Sequence, residues 1–251
     1  MTRYPFPWDR FVGLAMNLHT GQRSLPADCA SMVARITPTP VLLGEHHIPG
    51  SGPVVLAANH YQRAGLWIAW PGAVITDAVA RRRGDDPPLH WLVTGGLQCS
   101  QSQRRGPQVP LARPLLEAVA RCYQMAALPL RGSTGRAAAV HRWLDWAAKG
   151  EALGIFPEGT QGRADQLQRP ESGFDHLVRL LARRAIPVLP VGICELAGAM
   201  QVCFGEPIAV GASPPQRPSA DEVMRAIACL LPEAMHGPYA ADGTANARAV
   251  R

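Results

Sequence analysis

The chain has 251 residues, 47% of them hydrophobic and 18% charged, with a formal net charge of +6. A chain of that length buries a large core without help from disulfides or metals, and its mild basic excess is compatible with anionic lipid, nucleic acid or phosphorylated substrates without selecting among them. Six scattered cysteines without a C-x-x-C pair argue against a structural zinc site and fit a reducing compartment.

Residues 1–37 carry Tyr4, Phe6, Trp8, Phe11, Leu14 and Met16 among basic residues. That mixture suits helices lying in a membrane interface, and equally a segment packed on the core. No run of about eighteen apolar residues occurs, and no leader with a cleavage site is visible. The expectation is a cytoplasmic protein that meets the cytoplasmic face of a membrane only peripherally.

From residue 38 to 236 the pattern becomes α/β. Short apolar runs predict strands over 53–58, 90–94, 126–130, 152–156, 187–191 and 200–204. Pro187 and Pro190 place the fifth of these at a sheet edge or in a specialised wall, since proline cannot donate to a ladder. Between the strands, Val140, Trp143, Leu144 and Ala147 recur at helical spacing, predicting a helix over 134–149 that Gly150 stops. Phe174, Leu177, Val178 and Leu181 repeat the pattern over 174–184. Ser219 and Glu222 form a capping box that opens a helix over 220–231. Alternating strands and helices predict a mostly parallel central sheet flanked by helices. Loops are expected at 101–110, 162–172 and 211–218, and a disordered tail at 237–251.

Two segments leave buried strands with chemistry attached. Asn59-His60 follows the first, and in open α/β sheets ligands gather outside the carboxyl ends of strands. A histidine there can serve as general base, because its ordinary pKa lies near neutrality; alone, such a residue is more often structural. Phe156-Pro157-Glu158-Gly159-Thr160-Gln161-Gly162-Arg163 follows the fourth strand and brings a carboxylate, a hydroxyl and an arginine out together. A tight turn with a capping glutamate reads the same spacing equally well. Arg131 lies just past the third strand, where it is either a ligand contact or a solvent-facing charge. Arginine forks grip phosphate. Adjacent His46 and His47 lack helix-spaced partners and read as solvent-facing rather than as metal ligands. No G-x-S-x-G nucleophile elbow is present, and no nucleic-acid-binding signature accompanies the dispersed arginines.

The order of these segments resembles the glycerolipid acyltransferases of the PlsC type, which read N-H-x-x-x-x-D, then an arginine motif, then F-P-E-G-T-R-S, then an apolar proline-containing strand. Phe156 to Thr160 matches letter for letter, Asn59-His60 matches the first motif, and Phe204-Gly205-Glu206-Pro207-Ile208 resembles a late G-x-P-I strand. The resemblance covers residues 38–210. It implies that His60 takes a proton from a lipid hydroxyl, which then attacks an acyl-CoA or acyl-carrier protein thioester. It further implies that Glu158 assists, and that Asn59, Arg131, Gly159, Thr160, Gln161 and Arg163 contact substrate. No cofactor or metal is implied, and the implied partners are the acyl donor, a lysophospholipid or related acceptor, and a membrane surface. Two departures stand out: Gly65 occupies the motif aspartate's place and Gln161 that of its phosphate-gripping arginine. Glu158 or Asp77 could hold the imidazole instead, and Arg163 or Arg131 the phosphate. The alternative is a catalytically impaired relative that binds lipid or acyl chains.

Overall fold

The computed structural model describes residues 3–5, 9, 13, 23–84, 89–94, 112–129, 134–159, 162–209 and 218–240. The strands are β1 (Val41–Leu43), β2 (Val54–Ala58), β3 (His90–Thr94), β4 (Ala126–Leu128), β5 (Ala152–Ile155), β6 (Val188–Leu196) and β7 (Ala199–Phe204). Helices α1 (Leu25–Val33), α2 (Ala69–Arg83), α3 (Ala112–Cys122), α4 (Arg136–Ala148), α5 (Phe174–Arg183) and α6 (Ala220–Ala228) surround them. The seven strands form one sheet in the order β1-β7-β6-β2-β5-β3-β4. Strands β2 to β6 are mutually parallel. Strand β7 returns antiparallel to β6 and carries β1 parallel at its outer edge.

Strand β2 is buried along its whole length and alternates its side chains between two apolar layers. Val54, Leu56 and Ala58 pack with Trp70, Ala73 and Val74 of α2 and with Leu25 and Cys29 of α1. Val55 and Ala57 pack on the opposite face with Trp143 and Leu144 of α4, Leu177 and Val178 of α5, and Val223 and Ile227 of α6. Both faces are covered, which is why the strands read as continuous apolar runs rather than alternating ones.

The expected strands and the 3.6-residue helices recur at their places, with the capping box of Ser219 and Glu222 in force at α6. Helix α4 instead opens on Gly135, without a side-chain cap. Four elements depart from the sequence reading. Helices α2 and α3 were not anticipated. Nine of the fifteen residues of α2 are buried, from Trp70 to Val79, so it has no polar stripe to give it a helical period. Its Pro71 lies in the first turn, where a missing N–H leaves no bond unmade. The three-residue edge strand β1 was too short to read. Strand β6, expected at an edge or in a specialised wall, lies inside the sheet between β7 and β2. Its N–H and C=O groups alternate sides: the carbonyls of Pro187 and Val191 accept from Val55 and Asn59 of the β2 side. Pro190, out of phase with them, turns the other way, and its carbonyl accepts from Gly205 N–H at 2.9 Å. Its absent donor thus faces the chain leaving β7 at Gly205, beyond the last β6–β7 pair, Val191 with Phe204.

At the carboxyl end, residues 237–240 belong to the fold, past the expected start of the tail. Tyr239 donates to Asp221 at 3.2 Å, and a Cβ on Gly237 would fall 2.3 Å from the Leu167 carbonyl oxygen. The 1–37 segment is described at Arg3–Pro5, Asp9, Gly13 and from residue 23 onward, and the rest of it lies outside the described residues, as do 241–251. Among the described residues no helix is long and apolar enough to cross a membrane.

Gly154 sits beneath Trp91, its register partner on β3. A Cβ at Gly154 would lie 2.7 Å from the indole, whose Nε1–H is anchored on Thr76 at 2.9 Å. Gly154→Ala is expected to destabilise the fold by about 1–3 kcal/mol, read as a lower urea midpoint at unchanged m-value.

Candidate active site at the carboxyl ends of β2 and β5

Strands β2 and β5 are neighbours in parallel register, with Ala57 beside Ile155. Asn59-His60 and the Phe156–Gly159 turn therefore emerge together on one rim. Glu158 joins them. Its Oε1 accepts the His60 backbone N–H at 2.7 Å and its Oε2 accepts the Gln168 backbone N–H at 2.7 Å. The carboxylate is fully buried. It ties the chain after β2 to the loop after β5, and it holds the backbone of His60 rather than its ring.

Asn59 does comparable work toward β6. Strand β2 ends before β6 does, which leaves the Ile193 peptide facing no strand. The Asn59 side chain replaces one: Nδ2 donates to Ile193 O at 2.9 Å and Oδ1 accepts from Ile193 N–H at 2.6 Å. Expected to touch substrate, Asn59 is 1% exposed with both amide groups committed to backbone.

His60 is 9% exposed. Phe156 meets it edge-on with centroids 5.4 Å apart, and Trp91 stacks on Phe156 at 4.8 Å. Gly162 closes the other side: a Cβ there would lie 2.2 Å from His60 Cβ. Only a glycine lets the turn fold this tightly over the histidine, and the sequence reading assigned Gly162 no role. Its signal was its place two residues beyond Thr160, but contact with His60 is visible only in three dimensions. His60 Nδ1 is buried with no hydrogen-bond partner among the described residues. Burial pushes the imidazole down to about 4, so at neutral pH the ring is uncharged and able to accept a proton.

Neither suggested carboxylate takes the aspartate's part. Glu158 faces backbone, and Asp77 pairs with Arg81 on α2. Gly65 itself has φ of 78°. Gly159, also at positive φ, packs where a Cβ would lie 2.6 Å from the Glu171 side chain. Arg163 forms a two-pronged pair with Asp165 at 2.9 and 2.6 Å on the surface. Arg131, Thr160 and Gln161 lie outside the described residues. His47, expected to face solvent, bonds through Nδ1 to the Phe204 carbonyl oxygen at 2.9 Å. Among the described residues no three His, Cys, Asp or Glu side chains gather as metal ligands would.

A parallel sheet carrying a buried, uncharged imidazole and a glutamate-bearing turn on one rim is an arrangement suited to taking a proton from a hydroxyl. The acyltransferase family profile matches residues 41–194, and the chain belongs to that family. Among solved structures it is similar to the 1-acyl-sn-glycerophosphate acyltransferase PlsC from Thermotoga maritima, at 16% identity over 88% of this chain and 81% of that one, with a TM-score of 0.51. At that identity the likeness concerns the fold. No curated protein sequence matches the chain.

Burial sets two opposed proton equilibria at this rim. It pushes the Glu158 carboxyl up from 4.5 to about 7 and the His60 imidazole down from 6.5 to about 4. A raised carboxyl stabilises the fold fully below its unfolded pKa and loses that contribution as pH rises through 7. A lowered imidazole contributes fully above its unfolded pKa and loses that contribution as pH falls through 4. The two slopes oppose each other between roughly pH 4.5 and 6.5. His60→Gln should therefore leave a protein whose unfolding free energy falls with rising pH in that window. Glu158→Gln should leave one whose stability rises with pH, from a base lowered by about 1–3 kcal/mol because an amide NH₂ replaces an acceptor of a backbone N–H. Urea midpoints across the window read both signs.

Proposed function

We propose that this protein is an O-acyltransferase that moves a fatty acyl group from acyl-CoA or acyl-carrier protein to a hydroxyl of a lysophospholipid or related lipid, working at the cytoplasmic face of a membrane. The observation that carries the reading is the convergence of His60 and the Phe156–Gly159 turn, joined through Glu158, on adjacent parallel strands. His60 is uncharged, as a general base must be. The acceptor O–H gives its proton to the imidazole, the oxygen bonds to the thioester carbonyl carbon, and the thiolate leaves and takes a proton. Glu158 and Gly162 are positioning residues: one holds the His60 backbone, the other shapes the wall against its side chain.

The missing aspartate weakens one step. Nothing among the described residues steadies the imidazolium through Nδ1, and removing the equivalent partner from a protease triad costs about 10⁴-fold. That observation favours a second reading, a relative that binds lipid or acyl chains and turns over slowly or not at all.

Incubation with acyl-CoA and a mixed lysolipid pool, followed by mass spectrometry of products, separates the two. Acyl transfer is expected to fall about 10²–10⁴-fold in His60→Ala. Equal rates in the two proteins would remove His60 from the mechanism. Acyl-chain binding without product in the wild type would establish the second reading.

A further inference from the structure

Gly65 opens onto a groove. A Cβ built there would meet a single atom within 4 Å, Arg63 Nη1 at 3.9 Å. The groove, of about 370 Å³, is lined by Arg3, Tyr4, Arg63 and Gly65. Arg63 is held firmly in its wall. Its Nε and Nη2 donate to the two oxygens of Glu195 at 2.5 and 2.6 Å, and its Nη1 donates to the Ala64 carbonyl at 2.7 Å. Tyr4 and Tyr61 donate their hydroxyls to the same carboxylate at 2.9 and 3.0 Å. Glu195 thus has four donors, and burial together with this carboxylate raises both phenols, Tyr61 to about 12. Of the five N–H groups of the Arg63 guanidinium three are used, and two remain. Arg3 adds a second guanidinium. With two arginines against one glutamate the recess carries a net positive charge, in the place where the family motif carries a negative one.

We propose that this groove receives the anionic group of the acceptor, a phosphate or a carboxylate, in place of the arginine that the F-P-E-G-T turn lacks. The ligand's naming as an acceptor rests on the acyl-transfer reading above; the anion site does not. Arginine forks suit either anion in two-pronged geometry. A rigid guanidinium loses little freedom on binding, because Glu195 and the two tyrosines already fix it. Surface beside the groove suits an amphiphile: Trp67, two residues on from Gly65, is 51% exposed, and Leu196, next to Glu195, is 45% exposed. Arg163 is a weaker candidate for the same anion, because Asp165 occupies its fork.

The test titrates inorganic phosphate and acetate against the full chain at low salt, read by calorimetry and by thermal unfolding. Wild type should bind at least one of them saturably, and the preferred ion tells phosphate-bearing from carboxylate-bearing acceptors. Arg3→Gln and Gly65→Asp should each weaken binding about tenfold or more, the scale of one lost charge-assisted hydrogen bond. The aspartate is tolerated at positive φ better than most residues and would occupy the groove itself. Arg179→Gln, which removes an equal charge from α5, should bind as wild type does. Binding of neither anion, undiminished binding in Gly65→Asp, or a loss confined to Arg163→Gln would overturn the proposal. In an acyl-transfer assay Arg3→Gln should raise the acceptor KM more than it lowers kcat. Phosphate binding that obeys these variants in a chain forming no acylated product would keep the anion site and refute the acyl-transfer reading.

Discussion

One buried carboxylate decides the geometry of this rim. Glu158 lies between the N–H of His60 and the N–H of Gln168, so the segment after β2 and the loop after β5 cannot separate without leaving two donors and a carboxylate unmatched inside the protein. Each such orphan costs about 1–3 kcal/mol. That cost keeps the histidine loop where it is, and the remaining features of the site are fitted around it. Gly162 packs directly against His60 beside this bridge. Phe156 and Trp91 form the apolar wall that lowers the imidazole pKa.

The same rim shows how buried polar groups can be wholly occupied with architecture. Asn59 substitutes for a strand that has ended, closing the Ile193 peptide on both sides. Its neighbour His60 is the contrast, since Nδ1 has no partner among the described residues. Unmatched buried polar atoms are rare in folded proteins, and one on the ring of a strand-end histidine marks where chemistry or a ligand would restore the balance. The acyltransferase fold supplies the frame. The place of the family motif's aspartate is taken by Gly65, which lines a groove together with Arg3, Tyr4 and Arg63.

Electrostatically the molecule divides its arginines between construction and surface. Arg83 donates to the carbonyls of Pro49, Gly52 and Gly150 and so seals the loops at the opposite end of β2. Arg23 grips Asp28, to which Tyr123 also donates, and fastens the chain entering α1 to the segment after α3. Arg63 does the same for the chain between β2 and α2, through Glu195. Among the described residues these arginines are committed to structure, and the recess at Gly65 is notable because Arg3 and Arg63 both line it.

The sequence alone determined the alternation of strands and helices, the order of the motifs and the histidine and glutamate at strand ends. Those features depend on local apolar period and on turn chemistry, which neighbouring residues settle among themselves. Helix α2 escaped because burial on nearly every side erased its period, and β6 stayed open between an edge and a specialised wall because the hand of its hydrogen bonds at Pro190 depends on which strand lies on each side. The roles of Asn59 and Glu158 were likewise beyond local reading, since each bonds to backbone that is distant in the chain. Only tertiary structure could decide that the glutamate holds a peptide and not a ring, that Arg163 is spent on Asp165, and that the place of the motif aspartate is an open, positively charged groove. Such facts are set by distances between segments far apart in sequence, and the pattern of residues along one segment carries no record of them.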